Sequence, residues 1–571
     1  MDGSSFEISD FQDLAALPES DESDSNNNNH HMSDTLISAL VPTAYGNNSF
    51  LPLDRLELII DQPTVFSELR RCYPEDPISE LHDMAIHIMS TSRNIFTILA
   101  IVEESGSVRD FLEEGVNDEW LPLIHSVDWR ELVHRQTEKP IQSAKRWSSF
   151  HKSSFIRYQW AISSPMLSNM DGLEHRDFDV ETCLPFTEVS DKKAGGYSDV
   201  QRVKIHPRHY KFNSKQGSPP WFALKKLHSP EPEALRYETE PFTTIGGAGN
   251  THILPLLSTF SFQGCYYILM PWAEGSLVDF WRDTAPRSRP DVLLHMWMAR
   301  ESLRLSQGLE KIHNLEPRIS ERPETEPLFK NSSGIPHTRI SHSTAEAGTD
   351  SSRVSGEVLF GRHGDIKPQN ILWLVDSDLQ EDLGSLLISD FGLTRFYTQR
   401  TQSREKPTYI GVTPTYESPE SDLDRPLSRA YDVWSLGCLL LEFATWLMYG
   451  FPGIEKFSDA RASPSKYKLF DIDDAFFEIK DGIPVVKKSV LQWIGEMHQH
   501  PRCSDFVHSF LDLISRRLLV PEYRDRAKIE QVTRLLSEMW QRCQTDPDFT
   551  LRLNPWSPDD GRFLTFAEPS V

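Results

Sequence analysis

The sequence predicts an α+β protein in which helices flank one strand-rich stretch. Three observations carry that expectation. Apolar residues recur at helical spacing between about 52 and 175, short β-like runs begin near 180, and the chain turns mainly helical after Trp281. At 571 residues the chain is long enough for two or more domains.

Residues 1 to about 35 read as a disordered acidic tail. Residues 1–54 hold no Lys or Arg, and the run Glu19-Ser20-Asp21-Glu22-Ser23-Asp24 cannot bury enough apolar surface to offset the entropy of ordering. The tail ends in Asn26–Asn29 and His30-His31. A tandem histidine can bind metal, but within a low-complexity stretch it reads as part of the solvated tail.

Between about 52 and 175 a helical region is expected. Leu81, Met84, Ala85 and Ile88 fall at i, i+3, i+4 and i+7, and Ile95, Ile98, Leu99 and Val102 repeat that spacing. Each set makes one apolar helix face. Asp76-Pro77 reads as an N-cap with proline at the first helical position, and Ser107 with Asp110 as a second helix start. No catalytic constellation stands out here, so residues 52–175 are expected to form a regulatory or interaction region that serves a partner.

Val200–Ile205, Trp221–Lys226 and Tyr266–Met270 read as strands, the first two joined by a polar connection containing Gly217, Pro219 and Pro220. His295–His313 is an amphipathic helix candidate, and Asp432–Trp446 is apolar enough for a buried one. Residues 314–359 are rich in Ser, Thr, Pro and Glu. A loop of that length is uncommon inside a compact domain, so a disordered surface insertion is expected. Residues 546–571 read as a C-terminal tail.

Formal net charge is −25, from 59 Lys+Arg against 84 Asp+Glu. Such a field repels nucleic acid and anionic membranes, and neither is expected as a partner. The six cysteines, Cys72, Cys183, Cys265, Cys438, Cys503 and Cys543, show no CxxC pair and no zinc-type Cys/His cluster. They read as reduced thiols of a cytoplasmic or nuclear protein. No apolar run nears the roughly 18–20 residues that span a bilayer. The acidic N-terminus is unlike a secretory or mitochondrial leader.

The chemistry concentrates in His363-Gly364-Asp365-Ile366-Lys367-Pro368-Gln369-Asn370, followed by Asp390-Phe391-Gly392. Asp365 can accept a proton from a hydroxyl. Asn370 and Asp390 can each offer oxygen to Mg²⁺, a hard cation. Lys367 can neutralise charge on a phosphate in transfer. Phosphoryl transfer depends mostly on such positioning and charge stabilisation.

On these motifs the chain resembles the eukaryotic protein kinases over roughly residues 180–545. The resemblance implies a bilobal kinase fold, with a β-rich N-lobe and an α-helical C-lobe, that uses ATP and Mg²⁺ on protein substrates. Asp365, Lys367 and Asn370 stand at the family's D-x-K-x-x-N spacing, with Asp365, Lys367 and Asn370 catalytic and Asn370 and Asp390 on the metal. Lys367 is the form found in Ser/Thr kinases. The 25-residue step from Asp365 to Asp390 is long for the family, so residues 376–384 should bulge from the intervening hairpin.

Lys193 to Val200 resembles the glycine-rich loop, with only Gly195 at its family position and Val200 at the family valine. Phe222-Ala223-Leu224-Lys225 resembles the strand of the ATP-anchoring lysine. Glu240 is the expected acid partner of Lys225, with Glu238 the alternative, because Pro241 disfavours helical geometry at Glu240. Met270-Pro271-Trp272-Ala273 resembles the hinge that meets adenine, where the Ala273 backbone serves as donor. Thr413 would bond Asp365 and Lys367, Glu420 would pair with Arg526, and Asp432 would brace the catalytic loop. Gly364 replaces the family's Arg, so activity is expected not to depend on phosphorylation at Thr401, Ser403 or Thr408. The stretch Arg362–Pro368 also resembles a form found in kinase-domain proteins of filamentous fungi.

The alternative is a pseudokinase acting as a nucleotide- or partner-binding scaffold. The incomplete glycine-rich loop and Gly364 favour it, and Lys225, Asp365, Asn370 and Asp390 oppose it. A small-molecule kinase should lack the Ser418-Pro419-Glu420, Asp432 and Arg526 set.

Overall fold

The computed structural model describes residues 32–46, 48–168, 175–190, 192–194, 198–212, 220–245, 252–286, 291–315, 359–375, 383–398, 414–423, 425–464, 472–546 and 548–553. Residues 1–31 of the expected acidic tail, 316–358 of the expected insertion and 376–382 of the expected bulge lie outside these residues. The chain divides into two compact units, Met1–Val41 with Ser49–Ser163, and Pro42–Asn48 with Ser164–Val571.

The first unit is a small helical body around its own core. Met32–Ser38 is helical and Leu36 is fully buried, which corrects the expectation that the tail runs to about 35. A buried leucine contributes about 1.5–3 kcal/mol, enough to hold so short a helix. Ile78–Thr91 buries Leu81, Ala85 and Ile88, the face read from the sequence. Arg93–Ile101 goes further, with every residue from Ile95 to Ile101 buried. A helix apolar on all sides belongs at a core's centre. The Asp118 carboxylate accepts from the Asn94 and Ile95 N–H groups, both at 2.9 Å, and closes that helix's first turn from a distance.

Two local expectations are corrected here. Asp76 does not cap a helix but pairs with Arg109. A hairpin of Leu123–His125 and Leu132–His134 interrupts the stretch expected to be helical, and the Gln159 amide closes it with two 2.8 Å bonds to the Leu123 backbone. Among the described residues no single helix is long and apolar enough to cross a membrane.

The second unit opens with a seven-stranded sheet. Its order runs His175–Asp177, Ser258–Phe262, Cys265–Pro271, Trp221–Leu227, Ser198–Ile205, Phe186–Val189, with Lys193–Ala194 also paired to Ser198–Ile205. Only the His175–Asp177 edge is parallel. Phe222, Leu224, Val203, Leu269, Tyr267 and Phe260 pack together on one face. Side chains alternate along a strand, so Ala223 and Lys225 project from the other.

The remainder is mainly helical. Ala430–Tyr449 buries every residue from Tyr431 to Met448, and Val292–His313 packs in the same core. Below them a buried carboxylate network forms, in which Glu442 accepts from Tyr416 Oη at 2.7 Å and from Arg461 at 3.0 Å. The stretch read as a C-terminal tail begins with a short helix, Asp548–Leu551, that fully buries Phe549. The core therefore extends past residue 545.

Candidate active site

The sheet supplies the first half of the site. Strand register sets Val200 opposite Lys225 and Met270 opposite Ala223. Directly paired residues share a face, so all four side chains lie on the face away from the Phe222–Leu224 core. Ala273 follows in the connection, between Trp272, whose N–H meets the Trp221 carbonyl, and Glu274, whose N–H meets the Trp373 carbonyl. Gly195 falls outside the described residues, as do Thr401, Ser403, Thr408 and Thr413.

The helix Pro232–Ile245 covers that face through Leu235, which joins Leu227, Leu256 and Ile268. Lys225 Nζ stands 2.7 Å from Glu238 Oε2. The expectation for Glu240 is thereby corrected. Glu240 lies 3.9 Å from Arg236 instead. The reason is helical phase: Leu235, Glu238 and Phe242 fall at i, i+3 and i+7 on the inward stripe, and two residues beyond Glu238 is more than half a turn away. The helix continues through Pro241, which is itself buried. Burial there outweighs the local cost of proline.

The second half is the loop after Leu359–Arg362, a strand paired with Arg395–Thr398. Ile366 is buried in the main core, which turns its neighbours Asp365 and Lys367 the other way. Lys367 Nζ is 2.7 Å from Asp365 Oδ2. Asn370 Nδ2 donates to the same Oδ2 at 2.7 Å and to the Asp365 carbonyl at 2.9 Å. Both acceptors are oxygens, so the amide must present nitrogen to Asp365 and keep its own oxygen for another partner. Asp390 has φ +62° and is exposed, with the Gly392 N–H 3.3 Å from its Oδ1. Asp tolerates this left-handed geometry better than most residues. An amide oxygen and an accessible carboxylate are hard donors that fit Mg²⁺.

Asp432 fixes the loop from beneath. Its carboxylate accepts from the backbone N–H groups of His363 and Gly364, each at 2.8 Å, and from His313 Nε2 at 2.8 Å. Full burial raises its pKa, but the His313 bond and the nearby imidazoles more than reverse this, so Asp432 stays below the usual carboxylate range. His363 is pushed down by burial, against the raising pull of Asp432. Gly364 has φ +83°, and a Cβ there would meet the Leu393 carbonyl oxygen at 3.0 Å. Glu420 and Arg526 form a fully buried two-point pair at 2.9 and 3.0 Å.

Sequence reasoning assigned no role to Phe242, His313 or His363. The Phe242 ring meets Phe391, and Phe391 meets His363. Its signal was available in the i, i+3, i+7 stripe with Leu235 and Glu238.

Residues 361–535 match the protein kinase domain family. The chain is 34% identical over 102 residues to MAP kinase kinase kinase win1 of Schizosaccharomyces pombe, across 14% of this chain and 7% of that protein. It is 36% identical over 118 residues to cyclin-dependent kinase E-1 of Arabidopsis thaliana, across 20% and 23% respectively. It is 30% identical over 145 residues to an Aurora kinase of Yarrowia lipolytica, across 24% and 35%. The chain thus spans about a third or less of the length of each of these relatives.

Proposed function

Because this chain belongs to the eukaryotic protein kinase family, we propose that it transfers the γ-phosphoryl group of ATP to Ser or Thr hydroxyls of protein substrates. The single observation that carries this reading is the Asp365 carboxylate, held at 2.7 Å by both Lys367 and Asn370 in a loop tied to the central helix. Lys367 supports the Ser/Thr class.

In this reading the strand-rich part of the second unit is the N-lobe and the helical part the C-lobe, together the kinase domain of residues 180–545. Val200, Ala223 and Met270 line the adenine pocket, and the Ala273 backbone donates to the base. Glu238 orients the Lys225 ammonium toward the α- and β-phosphates.

The substrate oxygen attacks the γ-phosphorus, the bond to the β–γ bridging oxygen breaks, and ADP leaves with that electron pair. Asp365 takes the hydroxyl proton, and Lys367 stabilises the charge on the phosphoryl in transfer. Asn370 and Asp390 would hold Mg²⁺, which when bound neutralises phosphate charge.

The first unit, which holds residues 52–163 of the 52–175 region, serves in this proposal as a regulatory or interaction module, and the protein acts in the cytoplasm or nucleus. The comparisons do not support the pseudokinase alternative. The test is phosphate transfer from labelled ATP by the full chain and by Asp365→Ala. Transfer by the wild type that falls at least about a hundredfold in the variant is expected. Equal incorporation by both would overturn the assignment.

A further inference from the structure

Away from the proposed active site, His498, Cys503 and His508 bring three metal-ligating side chains together, one ligand atom of each lying within 4.8 Å of the others. His498 ends the helix Lys488–His498, Cys503 lies in the turn that follows, and His508 stands on the helix Asp505–Leu513. All three are buried. The two imidazoles lie almost parallel, 11° apart, with Nδ1 facing Nδ1 at 2.8 Å. Facing Nδ1 atoms can share one proton, or both lone pairs can meet a cation. A proton-sharing pair asks nothing of a third group. Here the third group is a thiol, held in place by the Cys503 N–H bond to the His500 carbonyl at 2.9 Å.

We propose that His498, Cys503 and His508 bind one Zn²⁺ ion that staples the turn between these two helices. Two imidazole nitrogens and a thiolate are a donor set that zinc takes in tetrahedral sites, with a fourth position left to water. Burial, with His508 and Arg516 nearby, holds His498 down at about 4, so it is already in the neutral ligand form. The Cys503 thiol is held up by burial and by Asp505, so the ion must displace its proton. On binding, the S–H bond is replaced by an S–Zn bond and that proton leaves to solvent. The proton shared between the rings moves to an Nε2, freeing both Nδ1 lone pairs. With Zn–N bonds of about 2.0–2.1 Å, tetrahedral geometry requires the two nitrogens to part by only about half an ångström.

The experiment uses the full-length chain purified without chelators. Metal content is measured by elemental analysis, and Co²⁺ is exchanged in to read sulfur-to-cobalt charge-transfer absorption. About one zinc per chain is expected, with a thiolate–cobalt band. Cys503→Ala should lose the band and retain under about a tenth of the metal. A chelator should lower the melting temperature of the wild type and not of the variant. Wild type that emerges from zinc-supplemented growth without bound metal, or that shows no thiolate–cobalt band, overturns the proposal. So does equal metal content in the variant. If Cys503→Ala does not fold, the wild-type cobalt spectrum alone decides.

Discussion

Phe242 meets Phe391 edge-on, with ring centroids 4.9 Å apart. Phe391 lies edge-on to His363 at 5.3 Å, and the His363 backbone is bonded to Asp432. One contiguous line of contacts therefore joins the helix that holds Glu238 to the helix whose Asp432 holds the Asp365 loop. Asp390 sits at its midpoint, beside Phe391.

Phe242→Ala is expected to loosen Phe391 and with it Asp390. An aromatic pair contributes about 0.5–1.5 kcal/mol beyond its burial. If that energy holds Asp390 in its working position, kcat falls by about two- to tenfold. Steady-state phosphoryl transfer is the measurement. An unchanged kcat would mean that Phe391 keeps its place without Phe242.

Glu238→Ala and Glu240→Ala should part company. Loss of Glu238 leaves Lys225 free to swing, and a misplaced charge of this kind costs on the order of 10²-fold in kcat/KM for ATP. Loss of Glu240, which lies 3.9 Å from Arg236 at the exposed side of the helix, should change it less than about twofold. ATP titrations of both variants decide. The reverse order would place the working acid at 240.

Gly364 is required by its backbone. An L-residue at φ +83° with a carbonyl 3.0 Å from its Cβ costs about 1–2 kcal/mol. Gly364→Arg, which restores the family's residue, should lower the melting temperature. Since Gly364 offers no charge to a phosphate, phosphatase treatment of the wild type should leave transfer activity intact. Loss of activity on that treatment would count against this account.

Glu417 gives stability a distinctive pH dependence. Burial, reinforced by Asp422 and Asp473, pushes its carboxyl up from the ordinary 4.5 to about 7. The folded chain then keeps a proton that the unfolded chain releases. As pH rises from about 4.5 to about 7, this group costs about 1.4 kcal/mol of stability per pH unit. Glu417→Gln removes that slope. The wild-type minus variant unfolding free energy should decline across this window and be level on either side. A difference flat throughout would show that Glu417 ionises normally in the fold.

Much of this was legible in the sequence because its signals are short-range. The Asp365, Lys367 and Asn370 spacing, the Lys225 strand and the apolar Asp432–Trp446 run each depend on neighbours a few residues apart. The Glu420–Arg526 pair and the Asp432 brace were reached through family resemblance and hold at 2.8–3.0 Å. Glu240 was preferred over Glu238 although Pro241 spoke against it, because the helical phase set by the face that Leu235 buries was not used. The Met32–Ser38 helix was missed because its one fully buried apolar side chain, Leu36, follows a polar, histidine-containing run. The left-handed backbone at Gly364 and the gathering of His498, Cys503 and His508 arise from turns whose geometry no residue pattern announced.

Asp432 grips its loop through two main-chain N–H groups rather than through side chains. The residues of this loop consequently have little durability of their own and last as long as the helix from which they hang. A cavity opened at Trp446, which lies fully buried in that helix, would silence the chemistry without touching any group that performs it. Inactivating substitutions should therefore scatter through the molecule's interior rather than gather around Asp365, Asn370 and Asp390.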